Sequence, residues 1–259
     1  MSDYQLPTVW ENTAKETDNN QPTAGSRFKQ AIPKGDAPFQ LYTLGTPNGI
    51  KPLIMLEELK ELGIEESQYD AFKIKIDQGQ QFGSDFVAIN PNSKIPALVD
   101  QSTESSIRIF ESANILLYLA DKFQTLISSD WSTRTETLNW LFWQTGAAPF
   151  VGGGFGHFFH YAPEKLEYPI NRYTMETKRQ LDLLDKELAN KTYIVGHDYS
   201  IADIAIWSWY GQLALDDLYK DAGTFLNVRE YQNLQAWTKR IAERPAVKRA
   251  LTQELTDIN

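Results

Sequence analysis

Apolar and polar residues along the chain follow two periods in turn, the two-residue period of strands and the 3.6-residue period of helices. "FQLYTL" (39–44) is rich in aromatic and branched residues and predicts a strand. Gly45 and the run Pro47-Asn48-Gly49 mark a turn. In "IKPLIMLEELKELG" apolar residues fall at 50, 53, 54, 56, 59 and 62, which is helical spacing, and Gly63 closes the pattern. "YDAFKIKI" (69–76) alternates and predicts a second strand. A strand-helix-strand opening favours a parallel pair joined by a right-handed crossover. "FVAINPNSKIPALVD" (86–100) passes from a short helix through a loop into a strand. "SIRIFES" (106–112) follows closely enough to pair with it as a hairpin, and "ESANILLYLADKF" (111–123) predicts a helix opening on an acid and a serine. Residues 39–124 therefore read β-α-β-α-β-β-α.

From Asp130 onward the texture changes. Long helical patterns succeed one another: "STRTETLNWLFWQTGAAPF", "APEKLEYPINRYTMETKRQLDLLDKELAN", "SIADIAIWSWYGQLALDD" and "YQNLQAWTKRIAERPAVKRALTQEL". No strand signal stands out among them. The expected organisation is an α/β domain over 39–124 and an all-α domain over 131–252, with the boundary near 124–130. Residues 1–38 are polar, with scattered Asn, Thr, Pro and Gly, and read as an extended arm. Trp10 and Phe28 are large apolar residues that a solvated tail disfavours, so the arm is expected to dock on the body.

Composition narrows the chemistry. The chain has 259 residues, 42% of them hydrophobic, enough for two domains with sizeable cores. A formal charge of −9 argues against nucleic acid as a partner, because phosphate binding calls for a basic stripe. No apolar run approaches the ~18 residues of a membrane-spanning helix. Residues 1–20 lack the basic and apolar regions of a signal peptide, so a cytoplasmic location is expected. There is no cysteine, which removes disulfides, thiolate metal sites and any protein thiol nucleophile. Three histidines argue against a three-histidine metal site.

The turn at Thr46-Pro47-Asn48-Gly49 has two readings. Pro, Asn and Gly are what a turn needs. The same geometry, feeding a helix N-terminus, also gathers N–H groups, a hydroxyl and a side-chain amide in one place, where an anion is stabilised. In a redox fold of the thioredoxin type, that position would carry a reactive cysteine. Here any thiol would have to be borrowed from a ligand.

The element order is similar to a thioredoxin fold, and "NPNSKIPALVD" with "RIFESANILLYLADKF" resembles the glutathione-transferase pattern. "YSIADIAIW" (199–207) resembles the helix-start motif of that superfamily's second domain. More narrowly, "QLYTLGTPNG", "NPNSKIPAL", "NWLFWQTGAAPF", "GGGFGHFFHYAPEK" and "INRYTMETKRQLDLLDKEL" resemble the bacterial nu-class, or YghU-type, glutathione transferases over about residues 39–250. The resemblance implies an α/β plus all-α fold: an N-terminal thioredoxin-like domain followed by a C-terminal helical glutathione-transferase domain. It implies glutathione-dependent disulfide-bond reduction, with organic hydroperoxides as further substrates and two glutathione molecules bound per site. It also implies a homodimer. Conjugation of glutathione to electrophiles, and a non-catalytic glutathione-binding module, remain the alternatives.

Site residues follow from the same resemblance. Thr46 and Asn48, with Pro47 between them, hold the glutathione sulfur as thiolate. Ile95, before a cis Pro96, offers its N–H and C=O to the cysteinyl unit. Ser112, at a helix N-terminus, takes the γ-glutamyl carboxylate and Glu111 its ammonium; on the residues alone, both simply favour a helix start. Lys94 serves a glycine carboxylate, and Gln81 lies beside the ligand. Arg172 is the cation of the second glutathione, and Asn20 reaches the site from the arm. One position departs from the family pattern: a glutamine is expected directly before "GAAPF", where this chain has Thr145, with Gln144 one place earlier. One residue on a helix is about 100°, so Gln144 is expected to face elsewhere. Thr145 can donate one hydrogen bond from a shorter side chain.

Other motifs carry less. "VGGGFGHFF" follows no strand and lacks the Lys-Ser/Thr of a phosphate loop, so its glycines are expected to let helices approach beside a cleft. His157 and His160 lack carboxylate partners and are weak as metal ligands. Tyr161 and Phe155 either line an electrophile pocket or pack. "SIAD" (200–203) fits a capping box and is assigned to folding. Trp140, Trp143, Trp207 and Trp209 read as helix-packing residues.

Overall fold

A computed structural model describes residues 5–13, 15 and 20–258. The parts of the expected arm at 1–4, 14 and 16–19 lie outside the described residues.

The first half supplies four strands, lying in the order β4-β3-β1-β2, of a five-stranded sheet. β1 (Phe39–Thr43) runs parallel to β2 (Tyr69–Lys73), with α1 (Ile50–Glu61) as the crossover. A short α2 (Ser84–Ile89) leads to β3 (Ala97–Asp100), which is antiparallel to both β1 and β4 (Ile107–Phe110). α3 (Ser112–Phe123) then packs beside α1. β1 is buried at all five positions, because the sheet is covered on both faces. α1 is likewise buried from Ile50 through Leu59, so it is a central helix with apolar and polar neighbours on every side. β2 stops at Lys73, short of the alternating run, where the chain turns into a 3₁₀ stretch at Ile76–Gln78.

The second half is helical. α4 (Trp131–Pro149) opens on Asp130, whose carboxylate accepts from the Thr133 N–H at 2.8 Å, an N-cap. It continues into a π-helical segment, Phe150–Tyr161, that carries the glycine run. α5 (Glu167–Glu187), α6 (Ile201–Ile206), a second π-helical turn (Trp207–Gly211), α7 (Gln212–Ala214), α8 (Ala222–Phe225), α9 (Gln232–Ala242) and α10 (Pro245–Thr252) complete it. The long helical pattern at 231–255 is broken at Pro245, which starts a new helix as proline does at a first turn. α6 is started by the expected capping box, the Ser200 N–H donating to Asp203 Oδ2 at 3.1 Å. Asp203 also accepts from the Ile194 N–H and the Trp237 indole, so one buried carboxylate ties three segments.

Two expectations need correction. A strand follows the last helix: β5 (Thr256–Asp257) pairs parallel to β2 and brings Ile258 into the small core with Tyr42, Phe72 and Phe86. Two residues carry no alternation to detect. Lys75 and Lys73 hold Asp257 at 2.9 and 3.9 Å. The arm docks only in its later part. Phe28 bridges to Gly83, the Arg27 N–H donates to Phe82 O at 2.9 Å, and the Tyr42 hydroxyl donates to Pro33 O at 2.8 Å. Trp10, with Leu6 and Val9, is exposed instead. No helix among the described residues is long and apolar enough to cross a membrane.

Candidate active site

A cleft of about 680 Å³ opens between the two halves, a size usual for small-molecule sites. Its floor is the turn after β1. The Leu44 carbonyl accepts from the Thr46 N–H at 2.7 Å and the Thr46 carbonyl from the Ile50 N–H at 2.9 Å. The Thr46 hydroxyl accepts from the Gly49 N–H at 3.2 Å, which leaves its own proton to donate outward. Position 49 has to be glycine, since a Cβ there would sit 1.9 Å from Leu44 O.

Asn48 is fixed from the other domain. Its Oδ1 accepts from the indole N–H of Trp209 at 2.8 Å. An indole nitrogen only donates, so the amide oxygen must face Trp209 and the Nδ2 hydrogens must face away from it. Trp209 was expected only to pack; packing explains its burial, and the hydrogen bond gives it a place in the site. Gly152 makes room for it: a Cβ at 152 would fall 2.5 Å from its ring.

One wall comes from the thioredoxin-like half. The Ile95–Pro96 bond is cis. Ile95 lines the cleft, and among the described residues its main chain makes no hydrogen bond. Pro96 sits just behind, in an adjoining hollow lined by Asn48, Lys94, Glu111 and Ser112. Glu111 has φ 70° and ψ 117°, a conformation that costs a non-glycine residue free energy. That backbone delivers Ser112 to the first turn of α3, where it lines the cleft. Gln81 is buried on the same side, its Oε1 without a hydrogen-bond partner among the described residues. Lys94 and Asn20 stand at the exposed rim.

The opposite wall is α4 and the π-helical segment. Gln144 does not face elsewhere. It is fully buried, it lines the cleft, and its Oε1 accepts from Lys51 Nζ at 2.8 Å while its Nε2 has no partner among the described residues. Thr145 also lines the cleft, but its hydroxyl donates back to Leu141 O at 3.1 Å. The cleft spans the 100° between neighbours, so both residues reach it. Beyond them stand Gly153, His157, Tyr161 and Tyr219. Phe155 is in the core, stacked on Phe159 and Phe225. Among the described residues no group of three or more His, Cys, Asp or Glu could hold a metal ion.

Arg172 is not brought to this cleft. It lies in a separate hollow with Phe150, Phe158, Tyr168, Pro169 and Tyr173. Lys51, like Trp209, is a residue of the site that sequence reasoning missed. It lies on the cleft floor, buried, and donates to Ser112 Oγ at 3.2 Å as well as to Gln144. Burial lowers its pKa from 10.5 to about 7, with Glu111 pulling the other way. The available signal was its place in a helix whose apolar residues fall on more than one face.

The family model for the glutathione S-transferase N-terminal domain matches residues 37–121, and that for the C-terminal domain matches 154–245. The disulfide-bond oxidoreductase YghU of Escherichia coli is 56% identical over 230 residues, covering 89% of this chain and 80% of that one. A solved glutathione transferase YghU from Streptococcus pneumoniae, complexed with glutathione, superposes with TM-score 0.96 at 63% identity, over 99% of this chain and all of that one. A glutathione transferase from Burkholderia graminis, solved with two glutathione molecules per subunit, matches with TM-score 0.76 at 36% identity, over 83% of this chain and 88% of that one. With both domain models matched and more than half of its residues shared with YghU, the chain belongs to the glutathione S-transferase family, in its YghU-type branch.

Proposed function

We propose that the protein is a glutathione-dependent disulfide-bond reductase in which both thiols are borrowed. The observation that carries this reading is the floor of the cleft. In a chain without cysteine, the Thr46 hydroxyl and the Asn48 amide are both left with donors to give at the mouth of a helix. A glutathione thiol near pKa 8.5 is only a few per cent ionised at pH 7. Lowering it by ~2 units takes about 2.7 kcal/mol of preference for the anion. Two hydrogen bonds to a charged group, at about 1.5–3 kcal/mol each, suffice.

The first glutathione lies along Ile95 with its γ-glutamyl end at Glu111 and Ser112. An added strand pairs through its main chain, and Ile95 has its main chain free for this. The helix α3 N-terminus suits the carboxylate and Glu111 the ammonium. The second glutathione takes the helical-domain side, where the Gln144 amide nitrogen lacks a partner. The two-molecule occupancy of the Burkholderia relative supports this pairing. The first thiolate attacks the substrate disulfide, forming a mixed disulfide and releasing one substrate thiolate. The second thiolate attacks the glutathione sulfur of that intermediate, releasing the other substrate thiolate and leaving oxidised glutathione. Two glutathiones are oxidised and one disulfide is reduced. Holding both sulfurs in one cleft makes the second exchange effectively unimolecular.

The aromatic wall of Tyr161, Trp209 and Tyr219 favours a second reading, conjugation of glutathione to a flat electrophile. Calorimetric titration with glutathione, alongside turnover of 2-hydroxyethyl disulfide and of 1-chloro-2,4-dinitrobenzene, separates the two. Two equivalents per subunit with disulfide turnover is the expected result. One equivalent with turnover of the electrophile alone overturns the reductase reading.

A further inference from the structure

Lys51 stands on α1 three residues, about one turn, beyond Asn48, and its side chain is buried under the cleft. Both of its hydrogen-bond acceptors, the Ser112 hydroxyl and the Gln144 amide oxygen, are neutral. Among the described residues it makes no ion pair. An ammonium in such a place is disfavoured unless a negative charge stands near it.

The surrounding elements do not supply that charge by contact. α3 offers Glu111, which acts on Lys51 through the field. α4 offers only neutral Gln144 and Thr145 at the cleft, the π-helical segment His157 and Tyr161, and the loop before Pro96 another cation, Lys94. On α1 itself, Glu57 and Glu58 are engaged by Arg249 and Arg244 of the α10 region. On α6, Asp203 is occupied by Ser200, Ile194 and Trp237. The neighbouring position where an anion settles is the N-terminus of α3 at Ser112, which Lys51 touches from below.

We propose that Lys51 is the counter-ion of bound glutathione and that it is charged by the ligand's arrival: a glutathione carboxylate seated at Ser112 draws a proton from solution onto the Lys51 amine. The inference rests on the glutathione reading given above. In the empty cleft much of the lysine is neutral near pH 7, since burial has brought its pKa to about 7. Once the peptide is seated, a full positive charge stands one helical turn from Asn48, where the thiolate forms. The cation that stabilises the thiolate is then assembled by the substrate itself. Lys51 is thus a positioning and charge-balancing residue that acts beneath the ligand.

The test counts protons. S-methylglutathione keeps both carboxylates and has no ionisable thiol, so thiol ionisation does not enter. Its titration into the full-length protein at pH 7.5, in phosphate and in Tris, yields the protons exchanged from the dependence of the heat on buffer ionisation enthalpy. The wild type is expected to take up a substantial fraction of a proton per ligand, because the buried amine's pKa is lowered to about 7. Lys51→Met, similar in length and apolar, is expected to bind several-fold more weakly with almost no uptake. His157→Gln, which removes the histidine of the cleft, is expected to retain the uptake. Binding by the wild type without proton uptake overturns the proposal whether or not the methionine variant folds. Equal uptake by wild type and Lys51→Met also overturns it. Both outcomes leave the glutathione site standing, whereas no binding at millimolar S-methylglutathione overturns the site reading itself.

Discussion

The indole N–H of Trp209 and the amide oxygen of Asn48 lie 2.8 Å apart, joining residues 161 positions apart in the chain and the two halves of the fold. This contact decides which end of the Asn48 amide meets a thiolate. With the oxygen held by Trp209, the nitrogen presents donors. Released, the amide can rotate and present its oxygen, which repels an anion. Trp209→Phe is therefore expected to raise the pKa of the bound thiol by about one unit, from about 6.5, and so lower disulfide turnover at pH 7 by about threefold. The readout is the pH profile of turnover, or thiolate absorbance of the complex against pH. Asn48→Asp keeps the acceptor for Trp209 but puts a like charge beside the thiolate. Its loss is expected to be larger, about 25-fold, equivalent to a ~2-unit rise in the thiol pKa from about 6.5.

Gln144 and Thr145 are neighbours with opposite commitments. The Gln144 oxygen is held by Lys51, so its buried amide nitrogen is left for a ligand, whereas the Thr145 hydroxyl is spent on Leu141 O. Gln144→Leu is expected to weaken glutathione binding about tenfold, the equivalent of one lost hydrogen bond of about 1.4 kcal/mol. Thr145→Ala is expected to change it by about twofold or less, as for an exposed substitution. Calorimetric titration of both variants checks the contrast. The opposite ranking would return the contact to position 145.

The parts of this site that the sequence displayed are those made by consecutive residues. Thr46-Pro47-Asn48 announces a turn before a helix, and Glu111-Ser112 announces a helix start, because turn and cap chemistry is local. Both segments line the cleft. Trp209, Lys51 and Gln144 could not be read in the same way. A tryptophan in an apolar helix is most simply core, and Trp209 is in fact 9% exposed; only its partner 161 residues away reveals a second task. A lysine in a helix reads as solvated, and only the spread of apolar residues over more than one face of α1 hinted that this helix is covered on all sides. For Gln144, the 100° argument was sound for a narrow groove, and the observed cleft is wide. Arg172 shows the converse. A motif position alone did not bring its side chain to the cleft within this chain.

Asp100 gives the α/β half an acid limit. Burial pushes its carboxyl up, but Lys122 at 2.7 Å, the Tyr118 hydroxyl at 2.6 Å and both Ser102 donors more than reverse this, leaving it below the usual value. A group whose folded pKa is depressed contributes stability above its unfolded pKa, about 3.9, and loses it as the pH falls from there towards the folded value. Thermal unfolding is expected to show a falling Tm as the pH drops below about 4. Asp100→Asn is expected to cost about 1.5–3 kcal/mol at pH 7, the range for hydrogen bonds to a charged group. Its Tm should depend less on pH in that window. An unchanged acid dependence in Asp100→Asn would assign the loss to other carboxylates.

The union of the two halves is expected to depend on Arg244 in an asymmetric way. Its guanidinium grips Glu58 with two hydrogen bonds of 2.6 and 2.7 Å and lies 3.8 Å over the Tyr199 ring. Glu58 is 2% exposed on α1, so it has no water to turn to. Removing one partner of a buried pair leaves an uncompensated charge and costs about 3–5 kcal/mol, whereas replacing both with apolar groups is often neutral. Arg244→Met is therefore expected to unfold at clearly lower urea concentration. The double variant Arg244→Met with Glu58→Leu should recover most of the loss. Chemical denaturation of the two variants, compared at equal m-value, reads the difference directly. If both fell equally, the ion pair itself would be stabilising, and its role would not be limited to satisfying a carboxylate that the packing of α10 on α1 had already buried.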